Sequence, residues 1–200
     1  MRSAPAPGTV DRGHVIQLDP TRAIANALAR AAGVSRFTYN WGLAEIERRY
    51  KAGEKVKIKD LKREFNTIKY DQFPWIAESP RDANSQPFAD LARARKNFFE
   101  SCSGKRKGRK IGRPKFRRRG VDDSFYVSND KFEVRQRGAR GVVRLPVIGD
   151  VRMMEPLRWQ GKILSARVFC RADQWFIAIT VETCLERIQS SASISASRPP

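Results

Sequence analysis

A chain of 200 residues with 40 Lys and Arg against 21 Asp and Glu carries a formal net charge of +19. Its length allows one sizeable core or two small ones, and an apolar content of 40% is ordinary for a globular protein. The charge points to an anionic polymer, nucleic acid first, and not to a small acidic substrate; membrane surface is the weaker partner, because no stretch has the length or purity of a transmembrane helix.

Residues 1–12 form a Pro, Ala and Gly-containing lead expected to be disordered. A first strand is expected over residues 13–19, where Val15 and Ile16 favour β structure. Asp19 and Pro20 then read as a helix start, carboxylate cap before proline. That helix carries Ile24, Leu28 and Ala31 until Gly33 interrupts it. A second helix over residues 35–50 places Phe37, Trp41 and Ala44 on one stripe and ends through Gly53. From Ile58 onward, Ile58, Leu61, Phe65 and Ile68 recur at helical spacing, while Lys59, Lys62, Arg63 and Lys69 occupy other faces. An apolar turn over residues 73–76 leads to Ser79 and Pro80, a second cap-then-proline start. The helix that follows runs to about Glu100 and is expected to kink at Pro87. Trp41, Phe65, Phe88 and Phe98 keep helical period and are expected in the core.

Residues 104–123 are a basic joint. Lys105, Arg106, Lys107, Arg109, Lys110, Arg113, Lys115, Arg117, Arg118 and Arg119 fall in it, with no acid between the first and the last. Its glycines and Pro114 oppose a regular helix, and it has too few apolar groups to offset the entropy of ordering. All ten cations are candidate phosphate contacts.

After the joint the apolar period falls to 2. Phe125 and Val127, then Phe132 and Val134, alternate around Asn129 and Asp130. Residues 142–145 and 147–153 follow, and residues 162–171 pair with 174–183 across Ala172 and Asp173 as the clearest hairpin. Several short strands suit a small barrel or sandwich. The strand at 13–19 has no local partner, so it is expected to join this later sheet over residues 124–186, leaving residues 20–103 as a helical insertion. Residues 187–200 are expected to be a disordered tail. Cys102, Cys170 and Cys184 are odd in number and form no CxxC pair, which suits reduced thiols, and residues 1–10 lack the apolar core of a signal peptide; a cytoplasmic, nucleoid-associated protein is expected.

Several segments resemble one family in its own order. Residues 36–43 (RFTYNWGL) resemble the RFxYNxxL stretch of the TnpB (OrfB) proteins of small bacterial insertion sequences. Residues 73–76 resemble that family's PWL turn, 96–99 its KNFF helix end, 112–116 its GxPKF block, 144–149 its LPKIG strand pair, and 161–163 with Trp175 and Phe176 its last hairpin before the nuclease domain. The resemblance implies an α+β protein, an OB-like β-barrel (the wedge domain) with an inserted helical recognition domain. It implies guide RNA and target DNA as partners, gripped through phosphates while guide pairing supplies most sequence choice. It also suggests Lys62, Arg81, Ser85 and Gln86 as DNA contacts, and Phe116 as a packing anchor for the joint.

The family's three RuvC carboxylates and CxxC zinc-ribbon pairs have no counterpart here, so divalent metal and zinc are expected only in C-terminal domains that this sequence lacks. Asp122, Asp123 and Asp173 read as solvated turn acids, and His14, the sole histidine, as a strand residue. The expectation is a truncated, nucleic-acid-binding TnpB-type chain with no catalytic residues and no cofactor. Two alternatives are one part of a full-length or split RNA-guided endonuclease, and a sequence-blind RNA packaging protein.

Overall fold

The structure, a computed structural model, describes residues 8–121, 123–137 and 140–184. Residues 1–7, 138–139, 185–200 and Asp122 lie outside it, which takes in most of the expected lead and all of the expected tail. The elements run β1 (Thr9–Asp19), α1 (Arg22–Lys51), α2 (Ile58–Gln72), a 3₁₀ turn (Pro74–Glu78), α3 (Arg81–Cys102), β2 (Ser124–Ser128), β3 (Glu133–Arg137), β4 (Arg140–Leu145), β5 (Gly149–Met153), β6 (Lys162–Arg171) and β7 (Gln174–Cys184). This is an α+β protein whose three α-helices lie in the chain between the first strand and the rest.

β1 starts four residues earlier than the expected boundary at 13, because residues 9–17 find backbone partners along most of β7, from Thr9 opposite Cys184 to Gln17 opposite Phe176. Asp19 belongs to this strand and ion-pairs with Arg152 at 3.8 Å. The cap of α1 is therefore Thr21, whose Oγ1 accepts from the Ile24 N–H at 3.4 Å. No break occurs at Gly33. α1 is one helix of 30 residues, about 45 Å long at 1.5 Å per residue, because buried Ala31, Ala32, Val34 and Ser35 anchor both sides of the glycine and outweigh its helix penalty of about 1 kcal/mol. The predicted stop at Gly53 does occur there, with φ of 76° and its N–H bonded to the Tyr50 carbonyl.

The helices pack through an aromatic cluster. Trp41 meets Phe65 at 4.8 Å, Phe65 meets Phe88 at 5.5 Å, and Phe37 meets Phe73 edge-on at 4.8 Å. Leu61, Phe65, Ile76 and Leu91 are fully buried. α1 and α3 approach closely at Gly42, where an added Cβ would lie 3.1 Å from Leu91 Cδ2. Three positions depart from the pattern reading. Ala44 faces solvent, Phe98 is only half-buried beside exposed Phe99, and Lys69 is buried, its Nζ donating to Asn66 and Asn84 Oδ1 at 2.9 and 3.1 Å. α3 begins at Arg81 with Pro80 as its cap residue, so Ser79 does not cap it, and the helix continues through Pro87.

The strands form one antiparallel sheet in the order β2-β6-β7-β1-β5-β4-β3. The orphan first strand does join the later ones, between β7 and β5. β7 alternates strictly, with Trp175, Ile177, Ile179, Val181 and Thr183 inward, and together with Ile16, Phe125, Val143, Val151, Met153 and Val168 they form the sheet core. β6 and β7 make the predicted hairpin, with φ of 49° at Ala172 and 58° at Asp173 setting a turn that follows the strand twist. β2 and β3, by contrast, do not pair across Asn129 and Asp130. β2 pairs with β6 and β3 with β4, so they stand at opposite ends of the sheet. A flat seven-stranded sheet would hold its edges about 29 Å apart, but the chain from Ser128 to Glu133 reaches at most about 18 Å. The sheet is therefore strongly curled.

Gly161 and Gly53 test this packing. Gly161 has φ of 147° and a Cβ there would drive into the Glu182 carbonyl oxygen, whereas Gly53 needs only its positive φ and has open space around it. Gly161→Ala should destabilise by about 3 kcal/mol or more and Gly53→Ala by about 1 kcal/mol; urea melts of the two variants check the order.

Candidate nucleic-acid interface

The basic joint is neither helix nor strand over residues 105–117, and it is held at its two ends. At the start, α3 closes with Ser103 N–H bonded to the Phe99 carbonyl; Arg106 N–H then reaches the Glu100 carbonyl at 3.2 Å and Ile111 N–H the Ser101 hydroxyl at 2.9 Å. At the end, Asn40 grips the backbone of Arg117 from both sides: its Nδ2 donates to the Arg117 carbonyl at 2.9 Å and its Oδ1 accepts from the Arg117 N–H at 2.8 Å. The Arg117 guanidinium lies over the Tyr39 ring, 4.1 Å from the centroid, and donates to Asp90 Oδ2 at 3.1 Å. Arg36 pairs with Asp123, whose Oδ2 also accepts from Gly120 N–H at 2.7 Å. Three residues of the RFTYN stretch, Arg36, Tyr39 and Asn40, thus fasten the downstream end of the joint to α1.

Between and after these clamps the cations stand in solvent. Lys105, Arg106, Lys107, Arg109, Lys110, Arg113, Lys115, Arg118 and Arg119 are all exposed. Arg117 departs from the expectation made for it. Its side chain is 18% exposed and committed to Asp90, so it anchors the joint and is not presented to a phosphate. Phe116 departs in the other direction: it is 47% exposed and does not pack as the expected anchor. The helical candidates divide as well. Lys62 and Arg81 are exposed and make no ion pair among the described residues, while Ser85 and Gln86 are half-buried along α3.

Two buried aspartates on α3 join helices to strands, and sequence reasoning missed both. Asp82 accepts from Ser128 N–H and Oγ at 2.8 and 2.5 Å and pairs with Lys131 at 2.9 Å. Asp90 pairs with Arg93, Arg117 and Arg167 at 2.6, 3.1 and 3.5 Å. Burial would push the Asp90 carboxyl up, but Arg167, Arg117 and Arg93 hold it below the usual carboxylate range. Asp82 is likewise lowered, burial being outweighed by the hydrogen bonds from Ser128 and Lys131. The only available signal was an acid on the inward side of α3 in a chain rich in arginine. Of the acids considered for chemistry, Asp123 is taken by Arg36 and Gly120, and Asp173 sits in the β6–β7 turn. His14 is buried in β1, its Nδ1 accepting from Arg158 N–H at 3.2 Å. No group of three or more metal-ligating side chains converges among the described residues, and no described helix is long and apolar enough to cross a membrane.

A depressed carboxyl contributes stability that is full above its unfolded value, 3.8 for Asp, and is lost as pH falls through its folded value. Asp90→Asn should therefore cost about 3 kcal/mol at pH 7, since it leaves buried guanidinium groups under-compensated, and the gap from the unmutated chain should narrow below pH 3.8. Denaturant titrations at pH 7 and at low pH measure both effects.

A family model described as a helix-turn-helix domain of the OrfB_IS605 type matches residues 10–55. In this structure that segment is β1 followed by the whole of α1, a strand and one unbroken helix. Two curated relatives bear the name "Putative RNA-guided DNA endonuclease". Rv2885c of Mycobacterium tuberculosis is 28% identical over 200 residues, covering 91% of this chain and 41% of its own length; InsQ of Escherichia coli is 29% identical over 161 residues, covering 78% of this chain and 37% of its own. The chain thus spans about two fifths of the length of the relatives it matches. The OrfB-type match on β1 and α1, with similarity along nine tenths of its length, makes this chain similar to the TnpB/OrfB insertion-sequence proteins.

Proposed function

We propose that residues 8–184 are a nucleic-acid grip of a TnpB-type protein, holding guide RNA and target DNA through phosphate contacts and leaving cleavage to groups outside these residues. The observation that carries this reading is the basic joint: nine exposed cations on a segment tied down at both ends. Pinning lowers the entropy lost when a loop closes on a partner, so more of the electrostatic gain is retained as affinity. The relatives' name supports RNA and DNA as the partners. Any divalent metal or zinc belongs, on this reading, with the parts of the relatives that this chain does not span.

The curled sheet supports an OB-like wedge barrel with α1 to α3 as its inserted recognition domain. β1 is long enough to pair with β7 over Thr9 to Gln17 and with β5 at Leu18 and Asp19, handing the sheet from one set of strands to the other. On this reading Lys62 and Arg81 approach target DNA from the helical side, and Ser85 and Gln86 supply shorter-range contacts.

Each phosphate neutralised on a single strand contributes about −0.7 to the slope of log K against log salt. Reversing Lys107, Arg109 and Lys110 together to Glu should flatten the slope by about 2 and weaken all RNAs alike, because phosphate contacts carry affinity and not sequence choice. Arg117→Glu should instead lower thermal stability. Filter binding across a salt series, beside thermal melts, separates the two, and an unchanged slope in the triple reversal would sink the proposal. Equal affinity for the guide and for unrelated RNA of the same length would reduce the function to RNA packaging.

A further inference from the structure

A cleft of about 490 Å³ opens between α1 and the 3₁₀ turn, lined among others by Arg30, Phe37, Trp75, Glu78 and Ser79. Its volume lies within the roughly 300–1,000 Å³ of clefts that take small ligands. Trp75 is 43% exposed although it belongs to the aromatic cluster, with its ring edge-on to Phe37 at 5.0 Å and to Phe73 at 6.4 Å. An aromatic ring held from behind and left open elsewhere loses little freedom when a flat ligand stacks on it. Arg36 and Asn40 also line the cleft, but Asp123 and the Arg117 backbone already occupy them. The polar groups left are an exposed arginine, Arg30, which makes no ion pair among the described residues, the Glu78 carboxylate, and Ser79, whose buried Oγ has no hydrogen-bond partner. A carboxylate accepts and does not donate, so Glu78 disfavours a phosphate beside it and suits the amino group of a base, while Arg30 suits a phosphate.

We infer that this cleft receives one unstacked nucleobase of a bound single strand, stacked on Trp75 with its backbone phosphate at Arg30. The inference rests on the nucleic-acid binding proposed above and adds base contact to a grip that otherwise touches only phosphates. It uses the elements that fasten the basic joint, since α1 offers Arg30 and Phe37 to the cleft and clamps the joint with Tyr39 and Asn40, the latter at the cleft's edge. A strand lying on the joint thus has a place near α1 to turn a base out of its stack.

The test compares two single-stranded heptamers of equal charge, one of adenylate and one wholly abasic, in ribose and deoxyribose forms. The unmutated chain should bind the adenylate heptamer about tenfold more tightly than the abasic one. Trp75→Ala should remove that preference while leaving affinity for the abasic heptamer unchanged. Trp75 also packs on Phe37, so a measurement on the unmutated chain stands beside the variant: photo-crosslinking with a 5-iodouridine heptamer, mapped by mass spectrometry, should place the adduct on the peptide containing Trp75. Equal binding of both heptamers, or adducts confined to Phe116 and the basic joint, would overturn the base site and leave the phosphate grip standing. Failure of both heptamers to bind at low salt would overturn both.

Discussion

One carboxylate, Asp90, meets arginines from three parts of the chain: Arg93 on its own helix, Arg117 at the end of the basic joint, and Arg167 on β6. A buried acid is costly by itself, and replacing such a cluster with apolar groups is often neutral for stability. What the cluster supplies here is position. It fixes α3 against the sheet and, in the same contact, fixes where the joint leaves the surface. Asp82, about two turns earlier on α3, does the corresponding work at the other side by capping the end of β2 through Ser128 and Lys131. Helices and strands are thus riveted through acids in a chain where acids are outnumbered almost two to one.

That scarcity bears on how the molecule handles its charge. Two acids near the joint are consumed internally, Asp90 by three arginines and Asp123 by Arg36, and the exposed cations from Lys105 to Lys115 make no ion pair among the described residues. Their field is directed to solvent and to whatever polyanion enters it. Arg117 belongs to the same run by sequence and to the scaffold by geometry, because Tyr39, Asn40 and Asp90 surround it. The RFTYN stretch, matched here to a family by its letters, is explained in this structure by three contacts that hold one loop end.

Much of the architecture was legible in the amino acids. The period of 3.6 before the joint and of 2 after it separated helices from strands, and the short strand read at residues 13–19, with no local partner, had to seek one among the later strands. The β6–β7 hairpin followed from alternation alone, since a sheet with one buried face demands it. Local signals failed where tertiary contacts outweighed them: Gly33 sits inside α1 because its neighbours are buried, and Asp19 is claimed by β1 before it can cap a helix.

Composition and periodicity determined that this chain is α+β, strongly basic and split by a joint that cannot form a regular element, because these properties depend on residue type and spacing over a few turns. Only the tertiary structure decided that β2 and β3 part to opposite edges of a curled sheet, that Phe116 is open while Lys69 is buried, and that nine of the ten joint cations face solvent while one is locked away. Each of these depends on a partner far along the chain, Asp82 for the β2 end, Asn84 for Lys69 and Asp90 for Arg117. A side chain's availability to a ligand is set by what already touches it, and those contacts exist only once the fold has closed.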